Sequence, residues 1–224
     1  MAYLMKGMHW NDRDTVRTKM PYPVWVEPKH DDIRVRVTVP RDHNEPVQYL
    51  SYAEKPLNNL GYLDVMFRRI AERFQCGEFD CGFQVDSNFN KTYRWVRSKS
   101  VPADLKGCPT AMYLYDLPNE RFSYAYRKGD MARICAYAST QGWPLLYVPH
   151  AVCNTEEDVL RWFGIYRDQM YEGAMVKQPE HRYQIGKRTR DWLKLKPEET
   201  ADGRIIAVHE AIASVDQPDL CIRV

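Results

Sequence analysis

The sequence predicts an α+β fold, and three observations point there. Short runs with a two-residue apolar period recur along the chain, three longer stretches carry a helical period, and those helices fall between groups of strands. No internal repeat, low-complexity stretch or long linker divides the chain. At 224 residues it can bury a substantial core as one large domain or two small ones.

Residues 1–22 are mixed and basic, with Arg13, Arg17 and Lys19, and read as an irregular lead-in. Residues 24–27 and 33–39 are expected strands around a charged turn, and 47–52 alternates weakly as a third strand. The spacing predicts a helix over 60–74, with Leu63, Met66, Phe67, Ile70 and Phe74 on its buried face and Arg68, Arg69 and Arg73 away from it. Residues 79–85 alternate so that Phe79, Cys81, Phe83 and Val85 share one side and Asp80 and Gln84 the other. Residues 89–99 interleave Arg94, Arg97 and Lys99 with Tyr93 and Trp95, and read as a basic, aromatic segment.

Residues 111–115 form an expected strand running into Asp116-Leu117-Pro118. A helix is expected over 130–141, with Met131, Ile134, Cys135 and Ala138 inward and Gly142 as its stop, and 145–148 is a short buried strand. Thr155 caps the clearest helix, Asp158 completes a capping box, and Val159, Trp162, Phe163, Tyr166 and Met170 form its apolar face. Strands over 174–176, 192–196, 204–208 and 220–224 finish the chain.

Composition narrows the function classes. A hydrophobic fraction of 44% and a charged fraction of 28% are ordinary for a soluble globular protein. The net charge is only +2, so any nucleic-acid surface must be a local patch. Fifteen Tyr and six Trp supply flat faces for stacking as well as for the core. No apolar run approaches the roughly 20 residues of a membrane span, and residues 1–10 lack a signal-peptide core. The six cysteines, Cys76, Cys81, Cys108, Cys135, Cys153 and Cys221, form no CxxC pair, which points to reduced thiols in a cytosol-like compartment.

The chemistry centres on Glu27-Pro28-Lys29-His30-Asp31-Asp32-Ile33-Arg34, which reads as strand, tight charged turn, strand. A lysine at a strand end, with Glu27, Asp31 and Arg34 close by, has the makings of an amine nucleophile. Taken alone, the octapeptide also fits a charged surface hairpin. Four later features bear on it. Glu172-Gly173 to Lys177 places a Glu and a Lys at the two ends of one short strand. In Lys194-Leu195-Lys196, period two puts both ammonium groups on one face, where a polyphosphate between them would relieve their repulsion. Tyr115 ends a strand where its ring could cover a base. Gly186-Lys187-Arg188-Thr189-Arg190 is a basic loop just before the lysine pair.

Together these stretches resemble the covalent nucleotidyltransferase superfamily of ATP-dependent DNA ligases, RNA ligases and mRNA capping enzymes. The family's first motif, Lys-x-Asp-Gly-x-Arg, matches Lys29-His30-Asp31-Asp32-Ile33-Arg34 except that Asp32 stands where Gly is usual. Its fourth motif, Glu-Gly-x-x-x-Lys, matches residues 172–177, and its fifth, Lys-x-Lys, matches residues 194–196. From Glu172 through Tyr183, Gly186-Lys187, Trp192 to Glu198 and Ala201-Asp202-Gly203, the sequence is most similar to the small DNA ligases of short-tailed bacteriophages. The third motif, usually Asp-Gly-Glu, falls on Cys76-Gly77-Glu78 or on Asp80-Cys81-Gly82. The second fits the strand register better but lacks the Glu. Where the family has a Ser-Arg, this chain has Ser51-Tyr52.

The resemblance implies an ATP-grasp-like ligase adenylation domain: antiparallel sheets flanked by helices, with the nucleotide in the cleft between them. It implies residues 1–206 as that domain and residues 207–224 as the start of a truncated or missing C-terminal OB-fold. It implies ATP and Mg2+ as cofactors and nicked duplex DNA as partner, acting as a monomer with no membrane, in a bacterial host's cytoplasm. Lys29 becomes the nucleophile that takes AMP, and Lys194 and Lys196 the phosphate ligands. Glu172 contacts the metal ion, Tyr115 stacks on adenine, Arg34 holds ribose or the nick phosphate, and Asp31 orients Arg34. Glu27 and Lys177 fall near the nucleotide. Arg94, Arg97, Lys99, Lys187, Arg188 and Arg190 are the candidate DNA contacts. An RNA ligase, a capping guanylyltransferase or a catalytically idle nucleic-acid-binding module are the competing expectations.

Overall fold

The computed structural model describes residues 3–11, 20–119 and 121–197. Arg13, Arg17, Lys19, Ala201-Asp202-Gly203, Cys221, the expected strands at 204–208 and 220–224, and the expected second-domain start at 207–224 lie outside the described residues.

Two five-stranded sheets face each other, each backed by helices. The first holds, in spatial order, β1 (Lys6–His9), β10 (Arg188–Leu195), β9 (Gly173–Lys177), β2 (Val24–Lys29) and β8 (Ala151–Cys153). The second holds β4 (Gln48–Ser51), β3 (Ile33–Thr38), β5 (Glu78–Val85), β6 (Thr110–Asp116) and β7 (Leu145–Tyr147). Helices α1 (Asp64–Phe74), α2 (Phe89–Arg97) and α3 (Tyr124–Thr140) bury their apolar faces on the second sheet, and α4 (Glu156–Asp168) covers the first. The α+β class is borne out. The sheets are antiparallel except at one edge of each, where β1 runs parallel to β10 and β7 parallel to β6. Among the described residues no helix is long and apolar enough to cross a membrane.

Period two on β5 works as expected. Phe79, Cys81, Phe83 and Val85 enter the core under α1, α2 and α3, which leaves Asp80 and Gln84 on the opposite face, toward the first sheet. On β10, Leu193 and Leu195 join Val24, Val26, Ala174, Val176 and α4's Val159 and Tyr166 in a separate core. Lys194 therefore points the other way, toward the second sheet.

The differences from expectation have identifiable causes. The lead-in contains β1, whose four residues carry no apolar alternation and whose partner lies at the far end of the chain. The basic segment after residue 88 is the helix α2. The Asn88 side chain caps it by accepting from the Lys91 N–H at 3.0 Å, and only Thr92, Trp95 and Val96 are buried, so arginines mask the stripe. Helix α3 begins six residues early because its first turns bury Tyr124, Arg127 and Lys128, two of them charged. Arg127 forms a bidentate pair with Asp116 at 2.6 and 2.9 Å.

At α4 the Thr155 hydroxyl accepts from the Asp158 N–H at 3.1 Å, while the Asp158 carboxylate reaches back to the Asn154 N–H, one residue before the cap. Met170 does not join the apolar face. It follows the helix end in a left-handed conformation (φ 66°) and is 90% exposed.

Candidate active site

The octapeptide around Lys29 is not a hairpin. Strands β2 and β3 belong to different sheets, so the turn over residues 30–32 carries the chain from one sheet to the other. Lys29 ends β2 at the corner where the two sheets come together, opposite Gly173 at the start of β9. The Glu172 N–H donates to the Lys29 carbonyl at 2.9 Å, which seats the Glu172 side chain beside the lysine. Gly173 is required there: a Cβ would lie 2.2 Å from the Leu195 carbonyl oxygen. That close approach brings the residue after β10, Lys196, to the same carboxylate. Lys29 pairs with one oxygen of Glu172 and Lys196 with the other. Burial pushes the Glu172 carboxyl up, but hydrogen bonds from Lys196 and Lys29 outweigh it and hold it below its ordinary range.

Above this corner lies a cleft of about 390 Å³ between the sheets. Cations converge on it from both sides. Lys194 projects from β10, Arg188 from the start of that strand, Lys6 from β1 and Arg34 from β3. Burial lowers the Lys194 pKa, and Arg188, Lys196, Lys29 and Arg34 lower it further. The two lysines of the Lys-x-Lys pair thus divide: Lys194 lines the cleft, and Lys196, past the strand end, binds Glu172.

Arg34 is held by Asp80, not by Asp31. Its Nε and Nη2 donate to the two Asp80 oxygens at 2.8 and 2.5 Å. Tyr183 donates to the same carboxylate at 2.9 Å, and the guanidinium lies 5.4 Å from the Trp192 ring. The Asp31 side chain is exposed; its backbone carbonyl accepts from Gln84 at 3.1 Å. The two candidate third-motif stretches lie in different surroundings. Asp80 holds the cleft-lining Arg34, and Gly82 pairs with Arg34 across β3 and β5. Glu78 instead binds Arg36 and Thr38 at 3.1 Å, outside the cleft.

Glu27 and Lys177 meet beneath the cleft. Lys177 Nζ lies 2.7 Å and Lys128 Nζ 2.6 Å from the Glu27 carboxylate, and the Tyr124 hydroxyl donates to it as well. Burial raises the Glu27 pKa, but Lys128 and Lys177 outweigh it and pull it down to about 2. Burial lowers that of Lys177. His30 stacks on Tyr113 at 3.8 Å, and burial takes it down to about 4, so it is neutral. Tyr115, one residue before the end of β6, lines the cleft and donates its hydroxyl to Asp32.

The six candidate nucleic-acid residues separate. Lys187, Arg188 and Arg190 sit at and beside the start of β10, where Arg188 lines the cleft. Arg94 and Arg97 lie on α2, which packs through Trp95 against Phe83 on the opposite face of the second sheet; Lys99 follows that helix. Arg94 is paired with Asp104 at 2.8 Å. Sequence reasoning missed Lys6 and Trp192. Lys6 sits 4.0 Å over the ring of Tyr52, the residue found where the resembled family has an arginine. No local pattern marks it, because only the β1–β10 pairing brings it in. The five described cysteines are free.

A family model described as ATP dependent DNA ligase domain matches residues 120–196, the stretch that carries Glu172, Lys177, Lys194 and Lys196. No curated protein matches the sequence. Among solved structures, Pmar-Lig_PreS3 superposes with a TM-score of 0.73 at 18% identity, over 87% of this chain and 46% of that one. The ATP-dependent DNA ligase from bacteriophage T7, in complex with ATP, gives 0.67 at 18% identity over 88% and 69%. The Chlorella virus DNA ligase-adenylate gives 0.63 at 16% identity over 95% and 75%. The fold is that of the nucleotidyltransferase domains of ATP-dependent DNA ligases, and the chain spans less than half the length of the first of these structures.

Proposed function

We propose that this chain performs the nucleotide-charging step of an ATP-dependent DNA ligase, with Lys29 as the residue that takes AMP. The observation that carries the reading is Lys29 and Lys196 sharing Glu172 at the floor of a cleft into which Lys6, Arg34, Arg188 and Lys194 converge. A cleft so furnished suits a polyphosphate. In the reaction the Lys29 ammonium first gives a proton to solvent, the amine attacks the α-phosphorus of ATP, and the N–H proton shed as the phosphoramidate forms also passes to solvent. The N–P bond forms, the bond to the bridging oxygen breaks, and pyrophosphate leaves with that electron pair.

Lys194 stabilises the negative charge that gathers on the α-phosphate oxygens, and Lys196, once released from Glu172, joins it. Lys6 and Arg188 bind the pyrophosphate end. Tyr115 covers the adenine, with His30 and Tyr113 beside it. The charged Lys29 then passes AMP to the 5′-phosphate at a nick, and the adjoining 3′-hydroxyl displaces AMP as the strand is sealed.

Among the described residues no cluster of three metal-ligating side chains exists. Mg2+ does not need one, because it keeps several waters and takes one or two carboxylates beside substrate phosphates. Glu172 fits that part. Glu172, which here holds Lys29 and Lys196, would hold the ion, and the ion would supply charge neutralisation at the phosphates.

Intact mass after incubation with ATP and Mg2+ tests the reading. The expected result is a gain of one AMP, absent from Lys29→Ala. A protein that gains nothing, even after pyrophosphate treatment to strip AMP already bound, would instead be a nucleic-acid-binding module on this fold.

A further inference from the structure

Two departures from the resembled family's pattern meet at one point in space. Asp32 stands where the first motif has Gly, and Gly82 stands where the third motif, in the register that starts at Asp80, has Glu. Gly82 pairs with Arg34 across β3 and β5, and Asp32 lies on the turn just before β3 with its side chain against Gly82. A Cβ built on Gly82 would lie 1.7 Å from Asp32 Oδ2, and 2.5 and 2.6 Å from the Cε2 and hydroxyl of Tyr115. The Asp32 carboxylate therefore occupies the space that a side chain at position 82 would enter. It lines the cleft, and the Tyr115 hydroxyl fixes its orientation.

The other carboxylates of this region are taken. Glu27 holds Lys128 and Lys177, Glu172 holds Lys29 and Lys196, and Asp80 holds Arg34. Asp32 receives a neutral hydroxyl and keeps acceptor capacity toward the cleft. Burial pushes its carboxyl up to about 7, a rise that Tyr115, Lys29 and Arg34 only partly offset. An acceptor among cations does not serve phosphate. It serves hydrogen-bond donors, which in ATP are the ribose hydroxyls and the adenine amino group.

We propose that Asp32 and Gly82 are a reciprocal exchange, in which the Asp32 carboxylate, carried on the turn after the nucleophile, accepts from the ribose 2′-hydroxyl in place of a carboxylate on β5. The inference rests on the cleft being the nucleotide site. It makes Asp32 a specificity-determining residue and explains why position 82 bears no side chain.

Calorimetric binding of ATP and 2′-deoxyATP to the chain in a Lys29→Ala background, which binds without reacting, tests it. Measured at pH 8 to 8.5, on the ionised side of the Asp32 carboxyl, the expected preference for ATP is about tenfold, the worth of one charge-assisted hydrogen bond. Asp32→Gly should abolish the preference by weakening ATP alone, and Asp32→Gly with Gly82→Glu should restore it. Three results would overturn the exchange: an unchanged ratio in Asp32→Gly, equal losses for both nucleotides, or a double variant that melts like its parent yet remains indifferent to the 2′-hydroxyl. Charging of Lys29 is read separately by intact mass. A chain that shows the sugar preference and takes no AMP defeats the proposed function, not this inference.

Discussion

Lys29 ion-pairs with Glu172 across the seam between β2 and β9, and the second oxygen of that carboxylate belongs to Lys196. The pair restrains the nucleophile before substrate arrives, since an ammonium held by a carboxylate has no lone pair to offer phosphorus. Substitution separates restraint from catalysis. Glu172→Gln keeps the shape and removes the charge that would meet Mg2+, so charging of Lys29 should fall by roughly 10²-fold. Gel or mass assays of AMP transfer across a Mg2+ titration would measure it. An unchanged or faster rate would assign Glu172 to restraint alone.

Beneath the cleft, Glu27 is 1% exposed and carries two ammonium groups, Lys128 and Lys177, with Tyr124 completing its shell. Neutralising it leaves both cations buried without their counter-ion, so Glu27→Gln should cost about 3–5 kcal/mol in a denaturant titration. The effect has a definite pH window. The folded carboxyl titrates near 2 and the unfolded one near 4.5, so the folded state binds fewer protons between those values. Its contribution is complete above about 4.5 and is lost as pH falls toward 2. The melting-temperature gap between the parent and Glu27→Gln should therefore be constant from pH 5 to 7 and narrow below that. A gap that widens in acid would contradict the assignment.

The contrast between Lys29 and Lys6 marks what the sequence could reveal. Lys29 was legible because its chemistry is compressed into eight consecutive residues, and because a strand's period of two places Lys194 opposite Leu193 and Leu195 without knowledge of the fold. Lys6 was not, since β1 has four residues, no alternation and a partner some 180 positions away. Buried charge hid other features by the same logic. Arg127 and Lys128 break the apolar stripe that would have announced the start of α3, and they are buried because Asp116 and Glu27 wait for them on other elements. Arg34 looked like a partner of Asp31, three residues away. Its bidentate partner Asp80 became visible only once β3 and β5 were paired in register.

The same separation of faces sorts the basic residues proposed to meet DNA. Lys187 and Arg190 flank the cleft-lining Arg188 in sequence, whereas Arg94 and Arg97 ride on α2 behind the second sheet, with Arg94 bonded to Asp104. Each phosphate contact contributes about 0.9 to the slope of log affinity against log salt on duplex DNA. Lys187→Ala and Arg190→Ala should each reduce that slope by about 1 on nicked duplex and weaken binding without regard to sequence. Arg94→Ala and Arg97→Ala should leave it unchanged. Fluorescence anisotropy across a salt series gives the slopes directly. If the α2 variants flatten the slope and the β10 variants do not, the duplex crosses the back of the second sheet, and the nick could not then lie against Lys29.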